Sequence, residues 1–109
     1  MVVVVVATIA MLILYRYERT FSPNRWQSAN LMTQTRAHMT PDLLHTRQLI
    51  GKRRAEVVNL LGPTTETDKF RDWDMVYVLG PQDGYIDHQW LVLKLDESGN
   101  VARQEVVYD

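Results

Sequence analysis

Residues 49–63, LIGKRRAEVVNLLGP, decide how the rest of the chain is read. A short amphipathic helix lies between Gly51 and Gly62-Pro63, and Val57, Val58, Leu60 and Leu61 supply its apolar side. Glycine just past the last periodic residue takes the backbone conformation that ends a helix, and the proline after it cannot continue one. The residues that follow supply a small sheet for this helix to pack on.

In that sheet, Trp73 to Leu79 alternates, with Trp73, Met75, Tyr77 and Leu79 on one face and Asp74, Val76 and Val78 on the other. Gly80-Pro81-Gln82-Asp83-Gly84 has the composition of a loop. Ile86 to Leu95 is expected as the second strand, with Leu91, Leu93 and Leu95 pointing one way and Trp90, Val92 and Lys94 the other. Asp96 to Asn100 reads as a hairpin turn and Val101 to Tyr108 as the third strand. The leucine side of the second strand is the natural core side. Register is not encoded locally, so the outward set stays open. An exposed aromatic face of Trp73, Tyr77 and Trp90, rimmed by Asp72, Asp74 and Asp87, would suit a protein partner. The competing reading makes these aromatics the second half of a small core, packed by Trp26 and Met32.

Upstream, Ser22-Pro23 is a helix-start signal, with serine as cap and proline at the first helical position. A short helical turn over residues 24–29 follows, anchored by Trp26. Met32, Met39, Leu43 and Ile50 recur near seven-residue spacing, broadened by Leu44 and Leu49, which is a core stripe. Thr40-Pro41 interrupts it. Proline lacks the amide that a helix interior needs, so either a helix kinks there or a new one starts with Thr40 as its cap, and the expectation is a new helix over residues 41–50.

Residues 1–15, MVVVVVATIAMLILY, are an uncharged apolar run ahead of Arg16, Glu18 and Arg19. A spanning helix wants about 20 apolar residues, and this run is near the upper length of a signal-peptide core. No positive leader precedes the run and no small-x-small cleavage site follows it. The bulky Tyr15, Arg16 and Tyr17 instead suit a membrane interface. An uncleaved membrane anchor over residues 1–20 is the expectation, with a signal-like segment and a buried valine-rich strand as alternatives. Its orientation stays open.

The expected organisation is thus a membrane segment at 1–20, a helical connector at 21–40 and an α+β domain at 41–109. In that domain two N-terminal helices pack on one face of a three-stranded antiparallel meander. About 70 residues is close to the size at which a single core is marginal, and the chain has no cysteine to supplement it. Net charge is −1 but unevenly placed: residues 16–54 carry eight Lys/Arg against two acids, and residues 55–109 carry four against eleven. The acidic distal half argues against nucleic acid.

With these elements in place, Leu49, Gly51, Glu56, Val57, Leu60, Leu61 and Gly62, followed by the Tyr77-Val78-Leu79-Gly80 strand, resemble the small bacterial envelope domains of the SmpA/OmlA/BamE type, related in fold to the β-lactamase inhibitor protein. Their pattern is Leu-x-Gly-x-Thr-x-x-Glu-Val-x-x-Leu-Leu-Gly-x-Pro, and here the proline comes one place early, at Pro63. The resemblance covers residues 41–108. It implies a membrane-tethered protein-interaction module of the cell envelope, supporting envelope or outer-membrane protein assembly, with partners received on the sheet surface. The lipid-attachment cysteine of such proteins is absent from these residues.

Arg53 stands where that pattern has a capping threonine. A hydroxyl there would accept a backbone amide while Glu56 returned a bond, and arginine accepts none. Lys52, Arg53 and Arg54 also crowd the positive end of the helix dipole. Contact with an anion, such as a lipid headgroup or an acidic partner face, would give this cluster a use. A solvated, slightly destabilising substitution is the plainer account.

No conventional catalytic constellation is present. Ser22, Ser28 and Ser98 lack a nucleophile-elbow context, there is no phosphate-binding glycine loop, and carboxylates are scattered along the sheet. His38, Asp42 and His45 would share one side of a continuous helix, a conceivable metal pair that Thr40-Pro41 is expected to break. The reading is therefore a non-enzymatic binding protein without metal or cofactor, held at a membrane by residues 1–15 and engaging an unidentified protein. The alternative is a ligand binder or enzyme using a sheet-face pocket. Replacing Lys52, Arg53 and Arg54 by Ser, Thr and Ser restores the cap and removes the cations. It is expected to stabilise the fold by about 1 kcal/mol, seen as a higher melting temperature.

Overall fold

The computed structural model describes residues 1–82 and 87–109. They form four helices, α1 (Val2–Arg19), α2 (Pro23–Ser28), α3 (Thr35–Thr46) and α4 (Arg54–Leu61), and three strands, β1 (Met75–Pro81), β2 (His88–Leu95) and β3 (Val101–Tyr108). The strands make an antiparallel meander in the order β1-β2-β3, as expected.

Each element follows from local chemistry. Ser22 caps α2 by accepting the Arg25 amide at 3.4 Å, and Pro23 occupies its first turn, where no amide partner is lost. Gly62, at φ 80°, ends α4. Arg53 caps the other end of α4 with only half a capping box: its amide donates to Glu56 Oε1 at 3.1 Å, and its guanidinium has nothing to accept with. At the β2–β3 turn, Asp96 Oδ1 accepts the amides of Ser98 and Asn100 at 2.9 and 3.0 Å, and Gly99 takes φ 84°.

The main core lies between α2, α3, α4 and one face of the sheet. Trp26, Met39, Leu43, Leu49, Val57 and Leu61 meet Met75, Tyr77, Leu79, Leu91 and Leu93 there. The leucine side of β2 is the core side, as its alternation indicates. Phe21 and Trp26 stack edge-to-face at 5.8 Å, so packing begins well before residue 41. The stripe of the connector is divided: Met39, Leu43 and Leu49 are buried, while Met32 and Ile50 are exposed.

Several expectations are corrected. The helix expected over 41–50 is instead α3, which starts at Thr35, runs through Pro41 and ends at Thr46. Pro41 sits on the solvent side, and Arg36, Met39, Thr40 and Leu43 pack the other side, so burial outweighs one missing hydrogen bond. Gly80-Pro81 belongs to β1, after a bulge between Val78 and Gly80. Asp83, Gly84 and Ile86, placed by sequence in a loop and at a strand start, lie outside the described residues.

The apolar N-terminal run does form a helix, but among the described residues no helix is long and apolar enough to cross a membrane. The reason is dimensional: 15 uncharged residues rise about 22 Å, against about 30 Å of hydrocarbon, and Arg16, Glu18 and Arg19 occupy the last turn.

Gly80 is the backbone position with least freedom. Its φ is 129°, and a Cβ there would collide with the Thr33 carbonyl oxygen. Gly80→Ala is expected to cost about 2–3 kcal/mol. Gly99→Ala, with open space around the added carbon, should cost about 1 kcal/mol. Urea denaturation midpoints of the two variants check the order.

Candidate functional site

Two surfaces are left without an internal partner. The first is α1, which buries none of its side chains: Val2, Val3, Met11 and Ile13 are 75, 79, 72 and 63% exposed. A helix apolar on all sides is at rest only inside something apolar. Its polar end is braced to the domain. The Arg25 guanidinium of α2 lies 4.1 Å from the Tyr17 ring centroid, while Arg19 stacks on Tyr15 within α1 itself, at 3.8 Å. Arg25 Nη2 donates to the carbonyls of Tyr17 and Thr20, and the Phe21 amide donates to Asp42 Oδ2 at 2.7 Å.

Between this end of α1 and α3 runs an open groove of about 440 Å3, lined by Tyr15, Arg16, Arg19, His38, Asp42 and His45. Because α3 continues through Pro41, His38, Asp42 and His45 do share one side of a helix. Among the described residues, however, no group of three or more His, Cys, Asp or Glu is arranged to hold a metal ion. The Arg16 side chain makes no hydrogen bond or ion pair within the described residues.

The second surface is the outer edge of β3. His88 and Asp109 exchange both backbone hydrogen bonds, at 2.7 and 3.0 Å. Antiparallel alternation from that pair turns the amides of Gln104 and Val106 away from β2. Lys52 and Gly51 cover only the start of this edge, bonding Val101 at 2.8 Å. Among the described residues no strand pairs with the remainder, which leaves backbone groups open to an added strand.

Trp73, Tyr77 and Trp90 do not form one exposed face. Tyr77 is fully buried in the main core, and its hydroxyl donates to the Gly62 carbonyl at 3.0 Å. Trp90 lies on the opposite face of the sheet with Val76, Val78 and Val92. Residues 64–74 fold across that face and set Phe70 and Trp73 on it, leaving Trp90 8% exposed, with the Phe70 ring 5.4 Å away. The covering segment is pinned by Lys69 to Asp109 and by Arg103 over Trp73 at 5.1 Å. The aromatics are core on two sides, and Met32 packs neither.

Lys52, Arg53 and Arg54 differ in their surroundings. Arg54 Nη2 donates to the Asp74 carbonyl at 3.1 Å and so ties α4 to the sheet. The Lys52 and Arg53 side chains have no partner among the described residues.

One residue escaped sequence reasoning. Arg36 is 8% exposed and buried beside Trp26. Its Nε donates to the Trp26 carbonyl at 2.9 Å and its Nη1 to the Val78 carbonyl at 3.3 Å. The signal was available: Arg36, Met39, Thr40 and Leu43 follow the spacing of one helix face.

Burial pushes the Tyr77 hydroxyl up from 10.0 to about 12, against the opposing pull of Arg36 and Arg54. A raised value in the folded state means that stability is complete below pH about 10 and is lost as pH rises toward 12. The loss should reach about 2–3 kcal/mol. Urea midpoints measured across this window should fall for the wild type and stay flatter for Tyr77→Phe.

No protein-family model matches the chain, no curated protein matches its sequence, and no solved structure matches its fold.

Proposed function

We propose that this protein is a membrane-associated interaction module of the bacterial cell envelope, acting by binding rather than by catalysis. The observation that carries the reading is α1, whose apolar side chains are all exposed. Inserted among lipid chains, the apolar side chains of α1 leave water. Tyr15, Tyr17, Arg16 and Arg19 then lie at headgroup level, where aromatic and basic side chains are favoured. Arg16 and Arg19, in the last turn of α1, would add attraction to an anionic surface there.

A protein partner adds a strand to the open edge of β3, which replaces the aromatic sheet face as the place of contact. Support for envelope or outer-membrane protein assembly is the role that the SmpA/OmlA/BamE-like pattern of residues 49–62 suggests.

Flotation with phosphatidylcholine vesicles tests the attachment. The full chain should float, and Ile9→Lys should weaken binding roughly a hundredfold, the effect of about 3 kcal/mol for a charge at membrane depth. A chain that stays unbound at every lipid concentration overturns the reading. For the strand edge, cross-linking in a bacterial envelope fraction should capture a protein with the wild type and with Gln104→Ala, which loses the part-buried side chain but keeps the outward amide, and lose it with Gln104→Pro, which removes both.

A further inference from the structure

Arg36 is a cation inside the protein without an anion. Taking a guanidinium out of water is costly unless it is paired, and none of the ion pairs among the described residues includes it. Two backbone carbonyls and the Trp26 ring, 5.1 Å from the guanidinium carbon, offset part of the cost. Burial still lowers the Arg36 pKa, the direction that an incompletely compensated cation takes. Nη2 has no hydrogen-bond partner among the described residues.

Arg36 also lines a cavity of about 350 Å3 between α2, α3 and residues 61–66, within the size range of small-molecule sites. Leu31, Leu61 and Pro63 make its apolar wall, and Gln27, Thr64 and Glu66 its polar one. Gln27 spends its amide protons on the carbonyls of Asn59 and Leu60, at 3.3 and 3.1 Å, which holds that wall in place. The Thr64 hydroxyl makes no hydrogen bond among the described residues.

We propose that this cavity binds a small organic carboxylate, with its oxygens on Nη1 and Nη2 of Arg36 and its apolar tail along Leu31, Leu61 and Pro63. The planar guanidinium presents paired donors that match a carboxylate. The charge balance selects a monoanion: one cation faces the cavity, and Glu66 on the wall repels a second negative charge. The apolar wall selects a tail. This site is independent of α1 and of membrane attachment.

Side-chain NMR of the full chain, labelled at arginine nitrogens and titrated with acetate, hexanoate and inorganic phosphate, tests the site. Hexanoate should bind saturably and move the Arg36 signals, with acetate at least about tenfold weaker for want of four methylenes. Glu66→Gln should tighten hexanoate binding by about threefold, the scale of one partly screened charge. Arg36→Lys keeps the charge and loses the fork, and should weaken binding by more than about tenfold. Because that variant alters a buried position, Leu31→Trp serves beside it: it fills the cavity from a partly exposed position and should abolish binding in a protein that melts normally. Phosphate binding as tightly as hexanoate overturns the carboxylate assignment. Unchanged hexanoate binding in Leu31→Trp, or no movement of the Arg36 signals in the wild type, overturns the site.

Discussion

Everything in the folded part of this protein depends on burying β1 from both sides. Met75, Tyr77 and Leu79 face one way and Val76 and Val78 the other, and all five are removed from water. One layer of helices cannot do this. The chain places α2, α3 and α4 on the first side and crosses the second with the irregular segment 64–74. Tyr77 joins the layers, since its ring is at the centre of the main core and its hydroxyl satisfies the carbonyl of the residue that ends α4. Recruitment of Phe21 and Trp26 follows from the same demand: a sheet this small lacks enough apolar surface without them.

Much of this architecture is legible in the sequence. The glycine that ends α4, the serine-proline start of α2, the limits of β3 and the leucine side of β2 all follow from backbone chemistry or strict alternation. The failures have physical causes. Pro41 looked like a break because its missing amide is a local fact, whereas the packing of Met39 and Leu43 that overrides it is not. Gly80-Pro81 looked like a loop because the close approach of Thr33, which demands a glycine in the strand, is invisible in sequence. The face of Trp73 was assigned by extending the alternation of β1 two residues too far. Val76, Val78, Trp90 and Val92 are apolar on the second face, a pattern that by itself indicates burial on both sides.

The functional surfaces were less legible. Sequence reasoning put weight on Lys52, Arg53 and Arg54, whose charges stand out in a list of residues, and passed over Arg36, whose significance lies in what surrounds it. A charge on the buried stripe of a helix is a stronger indicator than a run of charges on a surface, because water does not offset its cost. α1 presents the converse case. Its composition was plain, and the structure adds only that its apolar side chains are all exposed.

The segment over the second face has no regular secondary structure, unlike the helical layer. Phe70 holds a left-handed backbone, φ 59°, which a bulky residue adopts only under constraint. The buried indole Nε1 of Trp90 has no hydrogen-bond partner among the described residues. The cover is fastened at both ends: the Thr65 amide donates to the Val76 carbonyl at 2.8 Å and that of Asp74 to the Leu93 carbonyl at 3.0 Å, with Lys69 on Asp109 and Arg103 over Trp73 between them. The helical side carries the same features, since the buried Trp26 Nε1 also lacks a partner among the described residues and Gln48 holds φ 46°. A segment held from both sides can keep a residue such as Phe70 in a costly backbone conformation, because its neighbours over-determine the position.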